Sequence, residues 1–252
     1  MKKQELAEGI VHYIFEPQPD RHYATSVTAI FNGNKVLLID TAYEFQMAEL
    51  LEDFQKNNFE VEQVIITHFH DDHMEGLKSL PEVPVYGSGR FKETLDMWTP
   101  KEEHVYFTPS IVVDESFSFS YGEYDLTLIP FPGHSACGML VKIDNQFLHV
   151  VDEVMFSIDG VPMLPSSDGN DMKRHLDSLD RLRSYEGFVT LIPSHGPVFD
   201  GAKLLSEIEN RYSYLKEVHD SDEFISYEDA TKECTCTFVH SEWHEDNLNK
   251  YR

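Results

Sequence analysis

Apolar and polar positions alternate along residues 10–15, 26–31 and 35–39, the two-residue period of strands with one buried face. Asn32-Gly33-Asn34 separates the last two, and residues that tolerate positive φ there predict a hairpin whose second strand runs straight into Asp40. Phe45, Met47, Leu50, Leu51 and Phe54 then recur at helical spacing over 44–57. The β-branched run 61–67 reads as a buried strand. A helix near 74–80, a strand at 83–86 and a helix near 89–97 follow. Strand patterns at 116–119, 124–129, 139–143 and 147–151 are broken by Gly, Pro and Asn. Helices over 171–185 and 202–218 flank a strand at 188–192, and the second carries an apolar stripe of Leu204, Leu205, Ile208, Tyr212 and Leu215.

Two runs of strands, each closed by helices, predict an α/β fold: a four-layer αββα sandwich of two mixed β-sheets with helices on the outer faces. The pattern assigns 1–220 to a single domain. The tail, 221–252, is charged and poorly periodic, with Trp243 its large anchor, and reads as an extension that is docked or partly frayed.

Composition narrows the function. The 252 residues, 41% hydrophobic, suffice for a large core. Forty-five acidic against 20 basic residues give a formal charge of −25, which disfavours nucleic acid and anionic membranes as partners. Lys173-Arg174 and Lys250-Tyr251-Arg252 are short basic clusters expected on solvated surface. No run reaches the roughly 18 apolar residues of a membrane span, and residues 1–8 lack the apolar stretch of a secretion signal, so a cytoplasmic location is expected. Cys137, Cys234 and Cys236 are too few for a disulfide framework and read as reduced thiols.

The chemistry is concentrated behind the 61–67 strand, in Thr67-His68-Phe69-His70-Asp71-Asp72-His73. His68 and His70, two apart in extended backbone, project to one side, and a tightening turn brings Asp72 and His73 to an adjacent position, so one turn can serve two metals. Imidazole and carboxylate without thiolate suit zinc, iron, manganese or cobalt, zinc being the usual choice for hydrolysis. His149, inside a strand, is expected to be a core or supporting residue, and His240 and His244 to lie on a solvated helix face.

With its H-x-H-x-D-H turn, the sequence resembles the metallo-β-lactamase superfamily over nearly its whole length. Leu37-Leu38-Ile39-Asp40-Thr41, Pro132-Gly133-His134-Ser135, Val151-Asp152-Glu153 and Pro193-Ser194-His195-Gly196-Pro197 look like the family's further motifs. The steps from His73 to His134 (61), to Asp152 (18) and to His195 (43) fit its order. The resemblance implies two divalent ions, most simply zinc: one held by His68, His70 and His134, the second by Asp72, His73 and His195, with Asp152 bridging. Asp40 would support the ligand turn. Asp72 would orient the attacking water and pass a proton to the leaving group. Val151 and Ser194 stand where glycine is frequent, which puts local backbone geometry in question.

The resemblance favours hydrolysis of a small ester, thioester or lactone, as in glyoxalase II and lactonase relatives. Met155 stands where lactonases place tyrosine, and the basic cluster for glutathione carboxylates has no clear match. A small-molecule phosphodiesterase or a mononuclear iron persulfide dioxygenase are the alternatives. Expected lining groups are Arg21, His22 and Tyr23; Phe91, Trp98 and Tyr106; and Met155, Phe156 and Met163.

Overall fold

The computed structural model describes residues 1–18, 23–168, 171–221 and 224–249. Thirteen strands among them form two sheets. The first sheet takes its strands in chain order: β1 (Lys2–Ala7), β2 (Ile10–Phe15), β3 (Thr25–Asn32), β4 (Lys35–Ile39), β5 (Glu60–Ile65), β6 (Val85–Ser88) and β7 (Ile111–Val113). It is antiparallel from β1 to β4 and parallel from β4 to β7. The second sheet holds β8 (Phe117–Tyr121), β9 (Tyr124–Pro130), β10 (Met139–Ile143), β11 (Phe147–Val151), β12 (Thr190–Pro193) and β13 (Phe199–Asp200), with β11 and β12 its parallel pair.

Alternation along the strands decides the layering. On β4, Leu37 and Ile39 join Met139, Val141 and Ile143 of β10 in the layer between the sheets. Val36 and Leu38, one residue out of step, pack outward against α1 (Glu44–Lys56), where Met47, Leu50 and Phe54 form the buried helical stripe. On the far side, Leu140, Leu148 and Val150 pack against α5 (Met172–Leu182) and α6 (Leu204–Asp220). Helix, sheet, sheet and helix therefore stack as the four expected layers, with a hydrophobic cluster at each of the three interfaces.

Several local expectations change. The predicted helix near 74–80 is a single turn, α2 (Asp71–Met74), continued by a 3₁₀ stretch (Glu75–Ser79). Gly76 explains the tightness: a Cβ there would stand 2.2 Å from the Thr41 carbonyl oxygen, so the turn lies directly on the end of β4. In α6 the buried stripe includes Arg211 and Tyr214, while Leu205 is exposed. Two short helices, α3 (Phe91–Trp98) and α4 (His104–Phe107), follow β6, and the described tail, which carries α7 (Tyr227–Ala230), packs against the α5–α6 layer. Val239 pairs with Met163, and α8 (Trp243–Asn249) is fastened by Asn247 Nδ2 donating to the Pro165 carbonyl (2.9 Å). His244 is buried, bonded to the Tyr214 hydroxyl (3.0 Å) and the Ile225 carbonyl (2.9 Å), instead of lying on a solvated face with His240.

Candidate metal centre

Each expected site residue follows a strand end. His68 and His70 leave β5, Asp72 and His73 occupy α2, and His134, Asp152 and His195 follow β9, β11 and β12. These ends open on the same side of the sandwich, so loops far apart in sequence converge there. The structure brings all seven side chains together in two groups, His68, His70, His134 and Asp152 in one, Asp72, His73 and His195 in the other. Within each group the ligand atoms lie within 4.8 Å of one another.

Asp152 stands between the groups. Its Oδ2 is 3.7 Å from His68 Nε2 and 3.8 Å from His134 Nε2 on one side, and 3.5 Å from His73 Nε2 and 3.1 Å from His195 Nε2 on the other. A tetrahedral ion with bonds of about 2.1 Å needs its ligand atoms roughly 3.4 Å apart, so these spacings are those of metal ligands, with the Asp152 carboxylate within reach of both groups. Asp152 Oδ1 and His73 Nε2 are buried and find no hydrogen-bond partner among the described residues, an arrangement that a cation would relieve. The donor set fits divalent metal.

The outer nitrogens are tied down. His73 Nδ1 is 3.0 Å from Asp40 Oδ2, His134 Nδ1 is 2.5 Å from the Ser166 carbonyl, and His195 Nδ1 is 2.7 Å from the Ala24 carbonyl. His70 uses the opposite arrangement: Nε2 meets Asp168 Oδ2 at 2.8 Å, leaving Nδ1 turned to His68 Nε2 at 2.9 Å. Each contact selects a tautomer whose inner nitrogen is free for metal. Asp40 also accepts from the Thr67 amide and hydroxyl, both at 2.8 Å, which holds the entry to the histidine turn.

Charge follows the same division except at His70, where burial opposes protonation but the hydrogen bond and charge of Asp168 outweigh it and raise the group. Burial pushes His68 well below its ordinary value, with His73 and His70 beside it adding to the fall, and burial lowers His134 to about 4. Burial also opposes protonation of His73 and His195, yet neighbouring Asp72 and Asp152 outweigh it and raise both. Asp152 would be pushed up by burial, but His195, His73 and His68 hold it well below the usual carboxylate range.

Val151 answers the question raised by its sequence. It adopts φ 55, a left-handed conformation that a β-branched residue rarely takes and that costs about 1–3 kcal/mol. The backbone turns there to aim Asp152, and the valine side chain stays in the core. Ser194 needs no such turn, since the positive φ falls on Gly196 (φ 86).

Among expected lining residues, Tyr23, Trp98, Met155 and Met163 border a cavity of about 380 Å³ over the two groups. Phe91 and Phe156 are buried in the outer cores and Tyr106 is exposed away from the cavity. Arg21, His22 and the 250–252 cluster lie outside the described residues. Sequence reasoning missed Asp168, Trp243 and Asp246. Asp168 had no motif around it, and its role depends on a fold that carries it 98 residues back to His70.

Comparison with known proteins agrees with this geometry. The family model described as Metallo-beta-lactamase superfamily matches residues 21–195. The chain belongs to that superfamily. Its superfamily relatives include a Caenorhabditis elegans Beta-lactamase-like protein 2 homolog, 24% identical over 230 residues that cover 85% of this chain and 71% of the other. A hydroxyacylglutathione hydrolase of Actinobacillus pleuropneumoniae serotype 3 is 23% identical over 203 residues, 79% of this chain and 77% of that protein. A metallo-beta-lactamase from Pontibacter korlensis has the same fold, with a TM-score of 0.67 at 21% identity, covering 83% of this chain and 99% of that one. Membership and the His/Asp clusters together mark a metal-dependent hydrolase.

Proposed function

We propose that this superfamily member holds two divalent ions, zinc by preference, and hydrolyses a small ester, thioester or lactone. His68, His70 and His134 are assigned to one ion, Asp72, His73 and His195 to the other, and Asp152 to both. The observation that carries this reading is the place of Asp152 Oδ2, within 3.8 Å of imidazole nitrogens from both groups.

When bound, such a pair of ions supplies Lewis acidity to a scissile carbonyl and lowers the proton affinity of water. The chain's own residues do the rest. Asp72 Oδ2 lies 3.4 Å from His195 Nε2 and Oδ1 lies 3.5 Å from His73 Nε2, so its carboxylate borders the reaction space and can accept a proton there and return it to the leaving group. Met155 and Met163 give the cavity apolar walls that limit water around the substrate. The hydroxyacylglutathione hydrolase relative, by its name a thioesterase, supports the thioester end of this range. The many carboxylates of the cavity weigh against a phosphodiester.

The test is elemental analysis of metal-replete protein combined with a panel of esters, thioesters, lactones and phosphodiesters. Two ions per chain with chelator-sensitive turnover of the first three classes is the expected result. One ion per chain, with Asp72 and His195 dispensable for binding it, overturns the dinuclear reading.

A further inference from the structure

Both tryptophans of the chain, Trp98 and Trp243, border the cleft. Trp98 donates Nε1–H to Asp168 Oδ1 (3.0 Å) and stands edge-on to His70 at 6.2 Å, over the first metal group. Trp243 meets the Tyr23 ring at 6.1 Å, and Tyr23 in turn stands edge-on to His195 at 5.0 Å, over the second. Aromatic surface therefore flanks the reaction space on two sides. Five carboxylates, those of Asp71, Asp72, Asp152, Asp168 and Asp246, line the same cleft, and among the described lining residues there is no lysine or arginine.

Resting on the dinuclear reading, two dications leave this set of carboxylates still in excess, and the −25 charge of the whole chain adds to the same sign. Among the described lining residues, a substrate carrying carboxylates or phosphates would find no counter-charge beyond the metals. A positively charged one would find both acidic groups and π-faces, which attract cations even when water is partly excluded. Trp243 and Asp246 come from α8, beyond residue 195 where the family match ends.

We propose that the cleft selects a substrate whose end remote from the scissile bond is an organic cation, a quaternary or protonated amine, seated against Trp243 and paired with Asp246 of the same helix. The ester or thioester bond lies over the metals, and α8 sets the specificity.

Because the two tryptophans are the chain's full complement, intrinsic fluorescence reports cleft occupancy independently of turnover. Zinc-loaded protein is titrated with choline and with its uncharged isostere 3,3-dimethylbutan-1-ol. Choline is expected to bind at least about tenfold more tightly, a difference that shrinks with added salt and falls severalfold in Asp246→Asn. Equal affinities, or a difference untouched by Asp246→Asn, overturn the proposal. The matching kinetic comparison uses acetylthiocholine, S-(3,3-dimethylbutyl) thioacetate and a carboxylate-bearing thioacetate. The expected order of kcat/KM follows charge, and Asp246→Asn raises KM for the cation alone. Preference for the carboxylate, abolished by Arg21→Ala, overturns cation selection and leaves the hydrolase reading standing. Choline-selective binding with none of the three thioesters hydrolysed does the reverse: it supports cation selection and counts against the hydrolase reading.

Discussion

Two strand-terminal aspartates that composition treats alike have different surroundings, and substitution should separate them. Asp152 lies among nitrogens of both groups, so Asp152→Ala removes a shared anionic ligand and is expected to lower metal occupancy together with turnover. Asp40 touches His73 Nδ1 and the Thr67 backbone instead. Asp40→Asn is expected to retain metal at saturating concentration with affinity or activity reduced about 10- to 100-fold. Zinc titration of each apo variant checks this, and tight two-ion binding by Asp152→Ala alongside none by Asp40→Asn would refute the assignment. Asp168 makes a third case, since it holds His70 Nε2 at 2.8 Å and also receives the Trp98 indole. Asp168→Asn should weaken zinc binding by a similar 10- to 100-fold factor in a chelator competition. Unchanged affinity would show that His70 orients itself.

Among the elements, α6 departs furthest from its apolar stripe. Arg211 is fully buried on it, donating to Glu207 Oε2 (2.7 Å) and to the Met155 carbonyl (2.6 Å), and it lies over the Phe156 ring at 5.3 Å. It therefore clamps the segment just past Asp152 that forms one wall of the cavity. Removing Arg211 leaves the half-buried Glu207 without its cation and the Met155 carbonyl without its donor, so Arg211→Ala is expected to cost about 1–3 kcal/mol in denaturant unfolding. The Met155 wall should loosen with it, raising KM more than it lowers kcat. A loss under 1 kcal/mol would mean that water replaces the guanidinium. Helical periodicity could not reveal this position, because an arginine between Asn210 and Tyr212 reads as surface until the partners of its five donors are known.

For the whole molecule, the layer between the sheets holds two histidines as well as aliphatic side chains. His12 on β2 shares the inward face with Ile10, and His149 on β11 shares it with Phe147. Burial lowers His12 to about 3, with His149 adding to the effect, and burial lowers His149 to about 4. Both folded values lie below the ordinary 6.5, so the unfolded chain takes up protons first as pH falls. The stability they contribute is fully present above pH 6.5 and is lost as pH drops toward 4. Thermal melts of metal-free protein should show this decline, and His12→Gln, which can keep the Thr28 contact, should flatten it; an equal slope in the variant would place the acid sensitivity elsewhere. The ligand turn, the strand that leads to it and the four layers were legible along the chain, because hydrophobic period and local ligand spacing are properties of neighbouring residues; His134, Asp152 and His195, far from the turn, entered only through the resemblance to the superfamily's motifs. What only the tertiary structure decided depends on distances across the chain. It set the carboxylate that secures His70, the left-handed turn at Val151 that aims Asp152, the buried Arg211, and the Trp243–Asp246 wall that α8 brings to the cleft. No local pattern encodes these, since each is fixed by which groups remain to satisfy one another once the two sheets have closed.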